Sequence, residues 1–269
     1  MRGKRTEETP FYIGWAGLPP ALRGFVRGLA LCLVLVAGGL GWLVAGAQRD
    51  PGTGRWGTDA PVTLTGWFVL APYPALQVVE GPEELVGRTV LMMSQGKLGA
   101  EDRVAPLAGR LGVARGALIS RGGLSLLELA AGEDAAVGID WTEVPTYAIR
   151  GTAAPPAPPT LFSQTLGRRT LAGEIIDSKC ALGVMKPGTG RAHKGCATLC
   201  ILGGVPPMYL VRSEEGGFDA YVLTGPDGEA LPREEILTYV ADPVSVEGLL
   251  VETQGLVQFR IDPGGLGRL

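Results

Sequence analysis

Twenty consecutive residues without a charge, from Gly28 to Ala47, constrain this chain more than any other feature. A helix of about 20 apolar residues is long enough to cross the roughly 30 Å hydrocarbon layer of a bilayer. Basic residues are concentrated on the N-terminal side of the stretch, at Arg2, Lys4, Arg5, Arg23 and Arg27. The positive-inside rule therefore predicts a cytoplasmic segment 1–27, a transmembrane helix 28–47 and a larger part outside the cytoplasm.

The same stretch shares one property with a cleaved export signal. Ala45, Gly46 and Ala47 form the small-residue pattern typical of a cleavage site. However, the apolar stretch is longer than the roughly 7 to 15 residues usual for a signal, and a long segment precedes it. We therefore favour an uncleaved anchor: a single-pass inner-membrane protein in contact with the lipid bilayer, whose periplasmic bulk is placed to meet other inner-membrane or periplasmic proteins.

The composition of the exported part favours short strands. The chain has 42 glycines and 21 prolines among its 269 residues, which disfavours long helices and suits strands joined by turns. The Pro-rich sequence GTAAPPAPPTLF, which begins at Gly151, is typical of a semi-rigid spacer. The sequence thus predicts a first domain over 58–150, a linker over 151–165 and a second domain over 166–264.

Alternating apolar patterns predict four or five short strands in each domain. Those of the first lie near 62–70, 75–79, 88–93, 111–119 and 124–129, and those of the second near 170–177, 208–211, 218–223, 244–251 and 256–261. Five strands with a glycine in the first strand fit a small OB-like barrel. The expected fold is mainly β with short helices: an N-terminal transmembrane helix followed by two tandem OB-like β-barrels. A generic β-sandwich is the alternative.

Two pairs of glycines suggest that the domains are copies of one another. The strand around Gly66 resembles that around Gly173, and the hairpin that begins at Gly116 matches the one that begins at Gly248 without a gap. A strand, intervening elements and a closing hairpin repeated at this spacing predict a tandem duplication.

The chain's single histidine lies among three of its four cysteines. Cys180, His193, Cys196 and Cys200 fall within one short segment, and the last three are spaced i, i+3 and i+7, which places them on one face of a helix. Gly203 and Gly204 followed by two prolines predict that this helix, over about 190–202, ends there. The preceding strand ends near Asp177, so its end and the helix face are expected to converge.

Three kinds of chemistry suit this residue set. Three cysteines and a histidine are a familiar zinc set, and thiolates with Met185 or Met208 nearby also suit Cu(I). A disulfide from Cys180 to Cys196 or Cys200 is the second reading, because exported compartments are oxidising. A low-pKa reactive thiol is the third. Covalent haem of the c type is disfavoured because the sequence has no CxxCH.

The run from Gly173 to Val211 resembles a motif of bacterial exported and membrane-anchored proteins of uncharacterised function. In that motif Asp-x-x-Cys at a strand end is followed by His-x-x-Cys-x-x-x-Cys, then by a glycine and a strand. The matching residues are Asp177, Cys180, His193, Cys196, Cys200 and Gly203. The resemblance covers about 40 residues. It implies small OB-like barrels behind an anchor and no particular activity.

Several functional classes are disfavoured. The formal net charge of −3 implies no strong attraction to nucleic acid. The turn Gln95 to Gly99 lacks a P-loop pattern and predicts a solvated Lys97. No set of nucleophile, base and oxyanion donors is evident, so an enzyme is not expected. The expected function is a Cys3His site for metal binding, or for redox or assembly support of a membrane complex; the alternatives are a thiol-disulfide oxidoreductase and a structural subunit with a disulfide-stapled barrel.

Overall fold

The computed structural model describes residues 20–47, 54–138, 157, 162–183, 185–213 and 217–269. These residues belong to two units, Met1–Arg49 and Asp50–Leu269. The predicted domain limits therefore meet the described chain only in part, because most of 1–27 and most of the predicted linker 151–165 lie outside the described residues.

A single helix, α1 (Pro20–Ala47), forms the described part of the N-terminal unit. It begins eight residues before the predicted span, with proline at its first position, where the missing N–H has no intrahelical partner to lose. Its 28 residues extend about 42 Å. Among the described residues it is the one helix long and apolar enough to cross a membrane, a property that an anchor and a signal sequence share.

The first group of strands in the larger unit forms a seven-stranded sheet. Its elements are β1 (Arg55–Trp56), β2 (Val62–Val69), β3 (Ala75–Glu80), β4 (Thr89–Met93), α2 (Glu101–Val104), β5 (Leu111–Arg121), β6 (Leu124–Leu129) and β7 (Ala136–Gly138). The antiparallel pairs are β5–β2, β2–β3, β3–β4 and β5–β6, whereas β4 and β6 pair in parallel. Strands β1 and β7 add to β5.

The second group forms a closed five-stranded barrel. Its elements are β8 (Ser163–Asp177), α3 (Ser178–Ala181), α4 (Lys194–Leu202), β9 (Pro207–Arg212), β10 (Phe218–Thr224), α5 (Arg233–Leu237), β11 (Pro243–Thr253) and β12 (Leu256–Arg268). The strands pair in the order β11–β8–β9–β10–β12–β11, with β10 and β12 parallel. The fold is thus mainly β with a few short helices, as the sequence predicts.

Gly66 in β2 and Gly173 in β8 each lie against the backbone of the next strand in their group. A Cβ added at Gly66 would collide with the carbonyl oxygen of Gln77 on β3, and one added at Gly173 would collide with that of Leu210 on β9. Only glycine permits so close an approach of neighbouring backbones.

The hairpin glycines match in the same way. A Cβ at Gly116 would collide with the carbonyl oxygen of Glu128 on β6, and one at Gly248 with that of Arg260 on β12. Val62, four residues before Gly66, pairs with Gly116. Arg169, four residues before Gly173, pairs with Gly248 in the same way. The two groups therefore share their pairing register at these four positions.

The two strand groups pack against each other through β4. Val90 and Met92 point into the core of the first group, whereas Leu91 and Met93 on the opposite face join the core of the barrel. The alternation follows from the period of two along a strand. Tyr73, which precedes β3, donates a hydrogen bond from its hydroxyl to the carbonyl oxygen of Leu223 at 2.8 Å. The Cys/His segment thus lies on a barrel whose core continues into the first group.

Candidate metal centre

Asp177, the last residue of β8, fixes the position of Cys180. Its Oδ1 accepts a hydrogen bond from the backbone N–H of Cys180 at 3.0 Å and so caps the single turn α3. The backbone N–H of Ser178 donates to the carbonyl oxygen of Pro206, which ties the same turn to the start of β9. The Cys180 side chain is buried as a result, with 3% of its surface exposed.

His193 reaches the cluster through a tight turn. Gly190 adopts a φ of 71°, in the region that favours glycine, and begins a 3-10 turn over Arg191–His193. The N–H of Gly190 donates to Glu174 Oε2 at 2.8 Å, and the N–H of His193 donates to the carbonyl oxygen of Gly190 at 2.9 Å. Burial raises the pKa of Glu174. These bonds hold His193 in the interior at the start of α4.

Helix α4 carries the other two cysteines. Cys196 is half-buried and Cys200 is buried, one turn further along. The helix ends at the predicted glycines, because Gly204 adopts a φ of 98° and its N–H donates to the carbonyl oxygen of Ile201 at 3.0 Å. The predicted helix over 190–202 therefore exists, with its first turn in 3-10 geometry.

Three of the four predicted ligands lie together. One ligand atom each from Cys180, His193 and Cys196 falls within 4.8 Å of the other two. Tetrahedral bonds of about 2.0 to 2.3 Å place ligand atoms about 3.3 to 3.8 Å apart, so the set needs a contraction of at most about 1.5 Å to reach that geometry. Cys200 falls outside this set, although its thiol interacts with those of Cys180 and Cys196. Cys200 is therefore a candidate for the fourth ligand, as is Asp177, whose Oδ2 lies 3.6 Å from His193 Nε2.

Two buried polar atoms at the centre have no hydrogen-bond partner among the described residues. They are Asp177 Oδ2 and His193 Nε2, which lie 3.6 Å apart. Both side chains are buried, with 0% and 4% of their surface exposed. Leaving such a group unsatisfied costs about 1 to 3 kcal/mol, so native proteins usually place a proton, a water or an ion beside it. A metal ion bound at His193 Nε2 and by the thiols would give this nitrogen a partner and place a positive charge beside the Asp177 carboxylate.

Lys97, from the first strand group, contacts two of the cysteines. Lys97 Nζ lies 2.7 Å from Cys196 Sγ and 3.9 Å from Cys200 Sγ. Lys97 is exposed, as the sequence predicts, but the β4–α2 turn also brings its ammonium to the cysteines. Its contact with Cys196 raises the pKa of Lys97, so the ammonium is the stable form there. Local sequence gives little signal of this contact, because the two residues are 99 positions apart.

The pKa values of two thiols in the cluster are shifted in opposite directions. Interaction with the Cys200 thiol, burial and the neighbouring Asp177 carboxylate raise the pKa of Cys180. The hydrogen bond from Cys180, followed by the charge of Lys97, lowers the pKa of Cys200. Of these two thiols Cys200 therefore ionises more readily, and the thiolate is the form that binds metals.

The remaining predicted residues take separate positions. All four cysteines, including Cys32 in α1, carry free thiols, so neither bridge of the disulfide reading is formed. Met208 is fully buried on β9, and Met185 is largely exposed in the loop that follows α3. A role of either methionine beside the metal stays a prediction.

Comparison with known proteins gives no family assignment. No family model, curated protein or solved structure matches the chain.

Proposed function

We propose that Cys180, His193 and Cys196, with Cys200 as the fourth ligand, bind a transition-metal ion outside the cytoplasm. The observation that carries this proposal is the pair of buried atoms, Asp177 Oδ2 and His193 Nε2, that lack partners beside two free thiols. A cation ligated by the imidazole removes the cost of the unsatisfied nitrogen and compensates the buried carboxylate.

The donor set selects soft or borderline ions. Zinc takes thiolate and imidazole ligands in tetrahedral sites, and copper(I) is selected by thiolates. Hard cations such as magnesium and calcium prefer oxygen ligands, of which the centre offers one carboxylate. We therefore propose zinc or copper(I) as the ion, held either as a structural centre or for the assembly of a membrane complex.

A thiol-disulfide oxidoreductase is the second candidate, and one contact favours it. Lys97 lies against Cys196, the half-buried member of the set, and a nearby ammonium is the usual means of stabilising a reactive thiolate. The Cys196 thiolate would attack a substrate disulfide and release one substrate thiol, and Cys180 would then displace the second, which leaves a Cys180–Cys196 disulfide and a reduced substrate. The two candidates differ in the resting state of the site. The first holds a metal ion, and the second holds a reducible disulfide.

We further propose that α1 anchors the protein in the inner membrane and that both strand groups are OB-like barrels that arose by duplication. The apolar length of α1 supports the anchor. The shared order of strand pairings and the four matched glycines support the duplication. The motif resemblance seen in the sequence stays a prediction, as do the membrane or periplasmic protein partners.

Elemental analysis combined with a free-thiol count tests the proposal. The full chain, purified in detergent without chelators, is expected to hold about one zinc or copper per molecule and to show thiols that become reactive only after chelation. Protein without metal but with a reducible disulfide would favour the oxidoreductase. A permanent disulfide with no metal would leave the stapled structural subunit.

A further inference from the structure

One side chain that contacts the proposed metal centre, that of Lys97, comes from outside the barrel that holds the ligands. Lys97 belongs to the β4–α2 turn of the first strand group, yet its ammonium lies 2.7 Å from Cys196 Sγ. Cys196 is also the least buried of the four Cys/His residues, since the other three are each at most 4% exposed. Lys97 is itself exposed, and its ammonium contacts the ligand that solvent reaches most easily.

The turn is held in place by its backbone. The N–H of Gly99 donates to the carbonyl oxygen of Gly203 at 2.8 Å, and the N–H of Ser94 donates to that of Leu98 at 3.0 Å. A Cβ added at Gly203 would collide with the carbonyl oxygen of Lys97. The lysine is thus presented by a closely packed contact between the turn and the end of α4.

The charge of the proposed centre explains why a cation belongs there. Zinc bound by three thiolates carries a net charge of −1, copper(I) bound in the same way carries −2, and the buried Asp177 adds another negative charge. Release of a metal begins when a thiolate takes up a proton or leaves the ion. An ammonium that donates a hydrogen bond to the thiolate lowers its affinity for a proton and so opposes the first of these steps.

Resting on the proposed metal function, we infer that Lys97 is the counter-cation of the metal-bound Cys196 thiolate and that it slows the release of the ion. The first strand group is therefore part of the metal centre. Lys97 acts through Cys196 and is a positioning residue, not a ligand.

The test measures the release of zinc from the full-length protein in detergent to a chromophoric chelator. Lys97→Met is expected to release zinc about tenfold faster, the effect of losing one charge-assisted hydrogen bond. Lys97→Arg keeps the charge and is expected to stay within about threefold of wild type. Lys186→Met is the matched control, because it removes the same charge from an exposed position between α3 and α4 of the barrel that holds the ligands.

Two further readouts separate this role from a purely structural one. In about 1 M salt the Debye length falls to roughly 3 Å. The difference in zinc-release rate between wild type and Lys97→Met should therefore narrow. In cobalt-substituted protein the sulfur-to-cobalt charge-transfer band should shift in Lys97→Met and return in Lys97→Arg. Gly203→Ala displaces the turn without removing a charge, and it should speed release in the same direction.

The outcomes distinguish the inference from the function on which it rests. Wild-type protein that binds no metal overturns both. Wild-type protein that binds zinc while Lys97→Met releases it at the same rate, with an unchanged cobalt spectrum, overturns only the inference.

Discussion

Lys179 Nζ lies 2.6 Å from Glu128 Oε1, and this buried ion pair joins the turn that bears Cys180 to strand β6 of the first group. The side chains are only 11% and 9% exposed. Trp56 Nε1 donates to the other oxygen of Glu128 at 3.1 Å, and Lys179 also donates to the carbonyl oxygen of Gly96 at 3.2 Å. Lys179 therefore links the turn that bears Cys180 to the turn that carries Lys97.

Breaking this pair on one side should destabilise the larger unit. We expect Lys179→Met to lower the free energy of unfolding by about 3 to 5 kcal/mol, because it leaves a buried carboxylate without its partner. Adding Glu128→Gln should restore part of the loss, since the amide still accepts from Trp56. Urea unfolding provides the measurement. The exposed pair Arg233–Glu101 is the control, and Glu101→Gln should cost less than about 1 kcal/mol.

Alanine at the matched glycines should act alike in the two groups. Gly116→Ala and Gly248→Ala each place a Cβ against a carbonyl oxygen of the neighbouring strand, and we expect each to cost about 1 to 3 kcal/mol. Gly195→Ala on α4, where an added Cβ meets nothing within 4 Å, should be neutral or stabilising. Thermal unfolding measures all three. A tolerated change at one strand glycine and a severe one at the other would contradict the proposed equivalence.

Acid should weaken the surroundings of the His193 turn through Asp242. Lys194, at 2.8 Å, together with Arg268 and Arg191 lowers the pKa of the Asp242 carboxyl. Because the folded pKa is depressed, the stabilisation is fully present above about pH 3.9, the unfolded value, and is lost as the pH falls through the folded pKa.

The measurement is urea unfolding between about pH 6 and pH 2. Asp242→Asn should be less stable than wild type near neutrality, and the difference should shrink in acid. Asp219→Asn, at an exposed position on β10, is the control for the loss of one carboxylate. A difference in the free energy of unfolding between Asp242→Asn and wild type that widens in acid would contradict this prediction.

Placement outside the cytoplasm can be tested with a reporter fused after Leu269. Enzymatic reporters that require export should be active in this fusion, and deletion of 20–47 should abolish that activity. Retention of the fusion in alkali-washed membranes distinguishes an anchor from a cleaved signal. Activity of a cytoplasmic reporter at the same position would refute the topology.

The strands could be predicted from sequence where one or both faces are apolar. Strand β6 spans Leu124–Leu129, the limits that the apolar pattern predicts. Strand β8 instead begins at Ser163, seven residues before its predicted start, because its exposed first half pairs with β11 and carries no apolar alternation. Strand β12 likewise continues through Pro263 and Gly264 to Arg268, beyond the predicted domain end.

The candidate site was predictable only in its local part. The spacing of His193 and Cys196 and the strand end before Cys180 indicated a common centre, and these three residues do lie together. Lys97 and Glu128 come from the first strand group, so only the packing of the two groups brings them near the cysteines. Glycines at 96 and 99 indicate a turn but not what the turn approaches.

X-ray absorption at the metal edge of the loaded, full-length protein tests the central claim most directly. We predict sulfur scatterers at about 2.3 Å and an imidazole nitrogen at about 2.0 to 2.1 Å from one ion per chain. In His193→Ala the imidazole contribution should disappear while sulfur remains, and in Cys196→Ser the sulfur contribution should fall. A spectrum with oxygen ligands alone, or one that His193→Ala leaves unchanged, would contradict the assignment of this Cys/His cluster as the metal centre.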